Sequence, residues 1–173
     1  FKKLIQSQLE QWISGLPSYI KAYLPISPAK VELKEKDFVA FLIEAGRYDK
    51  TAEKCTVCGI ILPSFSDYLL RGPAGALGDK DNVLSYSEQG LTVIPINNIT
   101  GNMLPDESAI IPGEKITSMK TVPKLTYHRL YVGTSDGTAV FRLNKVLIGY
   151  GWHKRNLPSF IATVNGLEDP VHI

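Results

Sequence analysis

Over residues 1–24, FKKLIQSQLEQWISGLPSYIKAYL, the apolar positions Leu4, Ile5, Leu9, Trp12, Ile13, Leu16 and Ile20 recur three and four residues apart. That is the spacing of one helical face. Lys2, Lys3, Gln6, Glu10 and Gln11 take the other side. Gly15 and Pro17 suit a break and a new first turn, so the pattern predicts a helix, a kink and a short second helix ended by Pro25. DFVAFLIEAG, residues 37–46, is a continuous apolar run that period alone does not assign. Asp37 as a cap and Gly46 as a stop favour a helix. In CTVCGIILPSFSDYLL the stretch 58–61 reads as strand and 64–70 as a short helix. RGPAGALGDKD then has the composition of a linker. It separates a helical and mixed region, 1–78, from a second unit, 79–173.

After the linker the texture changes. Short β-rich runs appear at 83–86, 91–96, 108–111, 116–122, 126–133 and 138–143, separated by SEQG, NNITGN, PGEK and SDG. This is the pattern of a small antiparallel sheet or barrel. NLPSFIATVNG follows, with Leu157, Phe160, Ile161 and Val164 on one face, Pro158 suited to a first turn and Gly166 to a stop. The fold class expected is α+β: a helical N-terminal region, then a small bent antiparallel β-barrel capped by a C-terminal helix.

One string invites an enzymatic reading. Gly133-Thr-Ser-Asp-Gly137 fits the G-x-S-x-G pattern of a nucleophile elbow. An elbow needs strand, strained turn and helix, whereas Thr138-Ala-Val-Phe-Arg-Leu143 continues as a strand. A hairpin turning on Asp136-Gly137 would set Val132 opposite Phe141, Leu130 opposite Leu143 and Tyr131 opposite Arg142, with the apolar set on one face. Ser135 is therefore expected at a hairpin corner. Glu168, Asp169 and His172 crowd the terminal tail and leave no room for triad partners of Ser135; a non-catalytic protein is the expectation, with an enzyme of unrecognised type as an alternative.

At 173 residues the chain is long enough for one domain with a helical attachment, burying roughly 70% of its unfolded surface. The balance of 44% hydrophobic and 21% charged residues is that of an ordinary globular protein. A net charge of +2 without a dominant basic cluster argues against a nucleic-acid partner. No apolar run reaches the roughly 18 residues of a bilayer span. Two cysteines are too few for a disulfide framework, which favours a cytoplasmic setting, peripheral to a membrane at most. The chain opens on Phe1, as a processed form or a fragment would, and the sequon at Asn98 reads as a turn.

GEKITSMKTVPKLTYHRLYVGTSDGTAVFRL, followed by a Trp-containing loop and a short amphipathic helix, resembles bacterial pleckstrin-homology-like domains over residues 80–166. The resemblance implies a partly open, strongly bent barrel plugged at one end by the helix. Its superfold hosts lipid binding, peptide binding and scaffolding, and fold does not fix function. The expected role is a non-catalytic interaction module whose partner is a protein or an anionic membrane surface.

For an anionic headgroup the candidate donors are Lys115, Lys120, Lys124 and Arg129 around the strands, with His153, Lys154 and Arg155 beside Trp152. Trp152 would lie at headgroup depth or plug the barrel mouth. Cys55-Thr-Val-Cys58-Gly59 has the spacing of a zinc knuckle. With no second C-x-x-C, a zinc site would need His128 and His153 or a second chain. Inert buried thiols, and so no cofactor, are the reading the composition favours, with metal and redox roles as alternatives. His128 is expected as a satisfied core histidine.

Overall fold

The structure, a computed structural model, describes residues 33–62 and 81–167. The helices expected over 1–24, the short helix expected at 64–70, most of the linker and the terminal tail lie outside the described residues. Among the described residues two helices come first, α1 (Glu35–Glu44) and α2 (Lys50–Lys54). Seven strands follow, β1 (Thr56–Ile61), β2 (Asp81–Ser87), β3 (Gly90–Pro95), β4 (Ala109–Pro112), β5 (Ile116–Pro123), β6 (Tyr127–Thr134) and β7 (Gly137–Asn144), and α3 (Gly151–Gly166) ends the series.

The class is α+β, with one antiparallel sheet in the order β4-β3-β2-β1-β7-β6-β5. Contrary to the expected barrel, the sheet is not closed. β4 and β5 are its two edges, joined by a single 3-10 turn, Gly113–Lys115, which carries the chain round a corner without pairing them. β1, from the N-terminal side of the expected domain boundary, is the middle strand and pairs with β2 and β7.

Side-chain alternation explains how the sheet is filled. Val57, Leu84, Val93, Ile111, Met119, Leu130 and Phe141, one from each strand, meet in a single buried cluster, so the sheet bends around that core. Gly59 makes one contact possible: a Cβ there would come within 2.7 Å of Leu84 and 2.8 Å of Leu143, so the two leucines close over β1 only because the side chain is missing. The alternate residues Cys58, Val83 and Ile94 face a second cluster with Leu33, Phe38 and Leu42 of the α1 region and with Tyr150 and Trp152. This second cluster draws on no residue of β5, β6 or β7.

α1 starts two residues before the expected cap: Lys34 holds the N-cap position, and Glu35 and Asp37 lie in the first turn, where the helix dipole favours acids. It stops where expected. Gly46 at φ 67 donates to Ile43 and Arg47 donates to Leu42, a Schellman closure that needs the left-handed conformation. α2 was not predicted; Asp49 caps it by accepting from the Ala52 N–H at 2.7 Å. α3 is longer than expected and starts at Gly151, so Pro158 lies inside the helix and Trp152, His153, Lys154 and Arg155 belong to its first turns. The expected Trp-containing loop before a short helix is thereby corrected.

The hairpin β6–β7 is confirmed in kind and corrected in register. Its loop is Ser135-Asp136, with Thr134 paired to Gly137, Val132 to Ala139, Leu130 to Phe141 and Arg129 to Arg142. Thr134 Oγ1 fixes this loop by accepting from the Asp136 N–H and donating to the Gly137 carbonyl, while Gly137 sits at φ 145. A shift of two residues keeps every side chain on its expected face.

α3 seats Leu157, Phe160 and Val164 in the larger core. Phe160→Ala is expected to cost about 3–5 kcal/mol of unfolding free energy in urea titration; a loss below about 1 kcal/mol would mean that α3 does not seal this core.

Candidate functional site

The residues at the start of α3 are tied to the seam between β1 and β7. That ladder pairs Ile60 with Arg142 and Ile61 with Phe141, and the Leu62 N–H donates to the Val140 carbonyl at 2.9 Å. Two residues further along the same register, Cys58 would face Asn144. The His153 imidazole fills that place. The Cys58 N–H donates to Nδ1 at 2.9 Å, and Nε2 lies 2.7 Å from the Asn144 carbonyl. Because a backbone N–H only donates, Nδ1 accepts and Nε2 carries the proton, so the ring is neutral. Asn156, one turn on, donates its side-chain amide to the Thr56 carbonyl at 3.0 Å. Burial lowers the His153 pKa, and the Asn144 carbonyl opposes that shift. His153 is thus a structural group with no face left for an anion.

Trp152 is buried. Its ring packs on Phe38 at 4.7 Å and edge-on to Tyr150 at 5.6 Å, and its N–H donates to the Leu33 carbonyl at 3.2 Å. Of its charged neighbours, Lys154 is exposed and Arg155 forms an ion pair with Glu35. Cys55 and Cys58 are both buried, but in different clusters on opposite faces of the sheet, so the fold does not bring the two thiols together. The Cys55 thiol donates to Thr163 Oγ1 at 3.3 Å, and burial raises its pKa. Neither cysteine is in a disulfide, and no cluster of three His, Cys, Asp or Glu residues stands together among the described residues.

Lys120 and Arg129 share one surface, the outer face of β5, β6 and β7. Core-facing Leu130 and Val132 turn Tyr127, Arg129 and Tyr131 outwards on β6, and the pairing sets Lys120 beside Tyr131 and Arg142 beside Arg129. Each ring carries a cation: Lys120 Nζ lies 5.9 Å from the Tyr131 centroid, and the Arg142 guanidinium 4.8 Å from that of Tyr127. The expected Tyr131 and Arg142 pair is replaced by these two, a consequence of the register. Arg129, between the rings, donates to both tyrosine hydroxyls at 3.5 Å, contacts that raise its pKa further, Tyr131 contributing most. Like charges opposite one another are unfavourable in a sheet. Yet β5, β6 and β7 contain no Asp or Glu, and none of these three cations has a carboxylate partner among the described residues. Lys124 continues the charge into the β5–β6 turn, while Lys115 precedes β5.

Sequence reasoning set Arg142 outward, opposite Tyr131, without counting it among the anion donors, and missed Tyr127, which the alternation in YHRLY marks as outward. It also expected a satisfied His128. The ring is half-buried, its Nδ1 has no hydrogen-bond partner, and burial and the nearby Lys145 lower its pKa. Ser135 is exposed at the hairpin loop with only Asp136 beside it. A cavity of about 230 Å³ at the β4–β5 corner, lined by Tyr86, Ile116, Ser118, Met119 and Leu167, is smaller than a typical small-molecule pocket.

The folded-state pKa values of His153 and His128 lie below that of a free histidine, so the unfolded chain binds more protons as pH falls through about 6.5. Their contribution is complete above that pH and declines below it, by at most about 1.4 kcal/mol per pH unit for each proton. His153→Gln, whose amide donates and accepts, is expected to flatten the dependence of unfolding free energy on pH between about 6.5 and 5; an unchanged slope would remove His153 as its source. Comparison with protein-family models, with curated proteins and with solved structures finds no match for this chain.

Proposed function

We propose that this protein is a non-catalytic binding module, of pleckstrin-homology-like type with an open sheet, that engages an anionic membrane surface through the outer face of β5, β6 and β7. The single observation that carries the reading is the interleaving of Lys120, Arg129 and Arg142 with Tyr127 and Tyr131 on three adjacent strands without a carboxylate. Cations spread over three adjacent strands suit a plane of phosphates better than a small soluble ligand, which needs a concavity. Tyrosine adds an amphipathic ring at the depth of the headgroups. The meandering strand order and the terminal helix across the core support the type of module. No helix among the described residues is long and apolar enough to cross a membrane.

Each basic residue near an anionic leaflet is worth about 1 kcal/mol, so Lys120→Gln/Arg129→Gln/Arg142→Gln should weaken co-sedimentation with phosphatidylserine-containing vesicles about 100-fold. Binding should also fall as salt shortens the screening length. Vesicle binding unaffected by the triple substitution would refute the assignment of this face. Absence of vesicle binding with retention of an acidic protein partner would replace the membrane by that partner.

A further inference from the structure

At one end of the cationic face, two loops hold three large apolar side chains in solvent. Leu125 is 94% exposed, Val146 75% and Ile148 95%. Single exposed hydrophobics are ordinary; these three are held together by the fold. The β5–β6 turn is closed by the Lys124 N–H donating to the Tyr127 carbonyl at 2.8 Å. The Lys145 N–H donates to the Thr126 carbonyl at 3.0 Å, which ties the β7–α3 loop to that turn. In the loop Leu147 packs against the second core cluster, and its neighbours Val146 and Ile148 remain exposed. Gly149, at φ 86, then reverses the chain towards Tyr150 and α3. The exposure is therefore a product of anchored backbone.

The charged residues within the two loops are of one sign. Lys124 and Lys145 flank them, Arg142 lies on Tyr127 at the base of the turn, and residues 123–127 and 144–151 include no carboxylate. We infer that the β5–β6 turn and the β7–α3 loop form a membrane-inserting tip. Leu125, Val146 and Ile148 enter the boundary between headgroups and acyl chains of an anionic bilayer, and Lys124 and Lys145 meet the lipid phosphates. The inference rests on the proposed membrane role of the outer face and adds an apolar component to it. A soluble polyanion would use the cations and leave the three apolar side chains in water.

The test uses the full chain and phosphatidylcholine vesicles containing phosphatidylserine. Leu125→Ser/Ile148→Ser should weaken partitioning at least about 10-fold, by a factor that persists in high salt, whereas the loss caused by the triple glutamine variant shrinks as salt rises. Both serine sites are on the surface, so the variant is expected to unfold at the wild-type temperature. Ile148→Trp should shift its emission to the blue on vesicles and be quenched by brominated acyl chains. Wild-type partitioning in the serine variant, with unshifted emission from Ile148→Trp, overturns insertion and leaves the cationic-face reading standing. Sensitivity to the serine substitutions without sensitivity to the glutamine substitutions supports insertion and sinks that reading. A wild-type chain that ignores these vesicles overturns both.

Discussion

The β1–β7 seam holds the fold together, and a side chain completes it. β1 is the middle strand of seven, and the three-stranded unit β5–β7 is hydrogen-bonded to the rest of the sheet through it. Where β1 and β7 separate, His153 supplies both halves of the missing rung, accepting from Cys58 and donating to Asn144. Asn156 satisfies the next carbonyl, that of Thr56. A buried backbone group left without a partner costs about 1–3 kcal/mol, so this repair lets the sheet splay without that penalty. It also fixes α3, because His153 and Asn156 lie one turn apart on the helix whose later residues fill the core.

That seam divides the sheet into two unlike halves. β1, β2 and β3 are covered on one face by the larger core and on the other by the cluster of Phe38, Leu42, Ile94 and Trp152. Burial on both faces leaves these strands no surface for a partner. β5, β6 and β7 give their inner residues to the larger core, and their outer residues include Lys120, Tyr127, Arg129, Tyr131 and Arg142, interspersed with smaller side chains such as Ser118, Val122 and the buried Val140. Arg129 and Arg142 stand opposite each other there, a local cost that the tyrosine hydroxyls, the Tyr127 ring and Asn144 reduce but that no carboxylate among the described residues cancels. This concentration of like charge is what the proposed anionic partner rests on.

Most of the architecture was legible because alternation is a strong signal. Every run read as β after the linker forms a strand, with ends displaced by at most two residues. What was not legible depends on contacts that no local pattern encodes. The start of α3 was hidden because Trp152-His-Lys-Arg resembles a polar loop, while in the fold Trp152 and His153 are its buried first turn. The hairpin register turned on the choice between Asp-Gly and Ser-Asp as the loop, decided by the Thr134 hydroxyl. The separation of Cys55 from Cys58 had a readable basis: an odd spacing along an extended chain sends side chains to opposite faces. The exposure of Leu125, Val146 and Ile148 had none, since an apolar residue in a loop looks the same whether it packs or protrudes.

The measurement that bears most directly on the account is amide hydrogen exchange of the intact protein, compared free in solution and bound to lipid nanodiscs with and without phosphatidylserine. The account predicts added protection on the anionic discs alone, concentrated in residues 120–131 and 142–149. Protection centred on α1 or on β2 and β3, equal protection on neutral discs, or no change on either surface would contradict it.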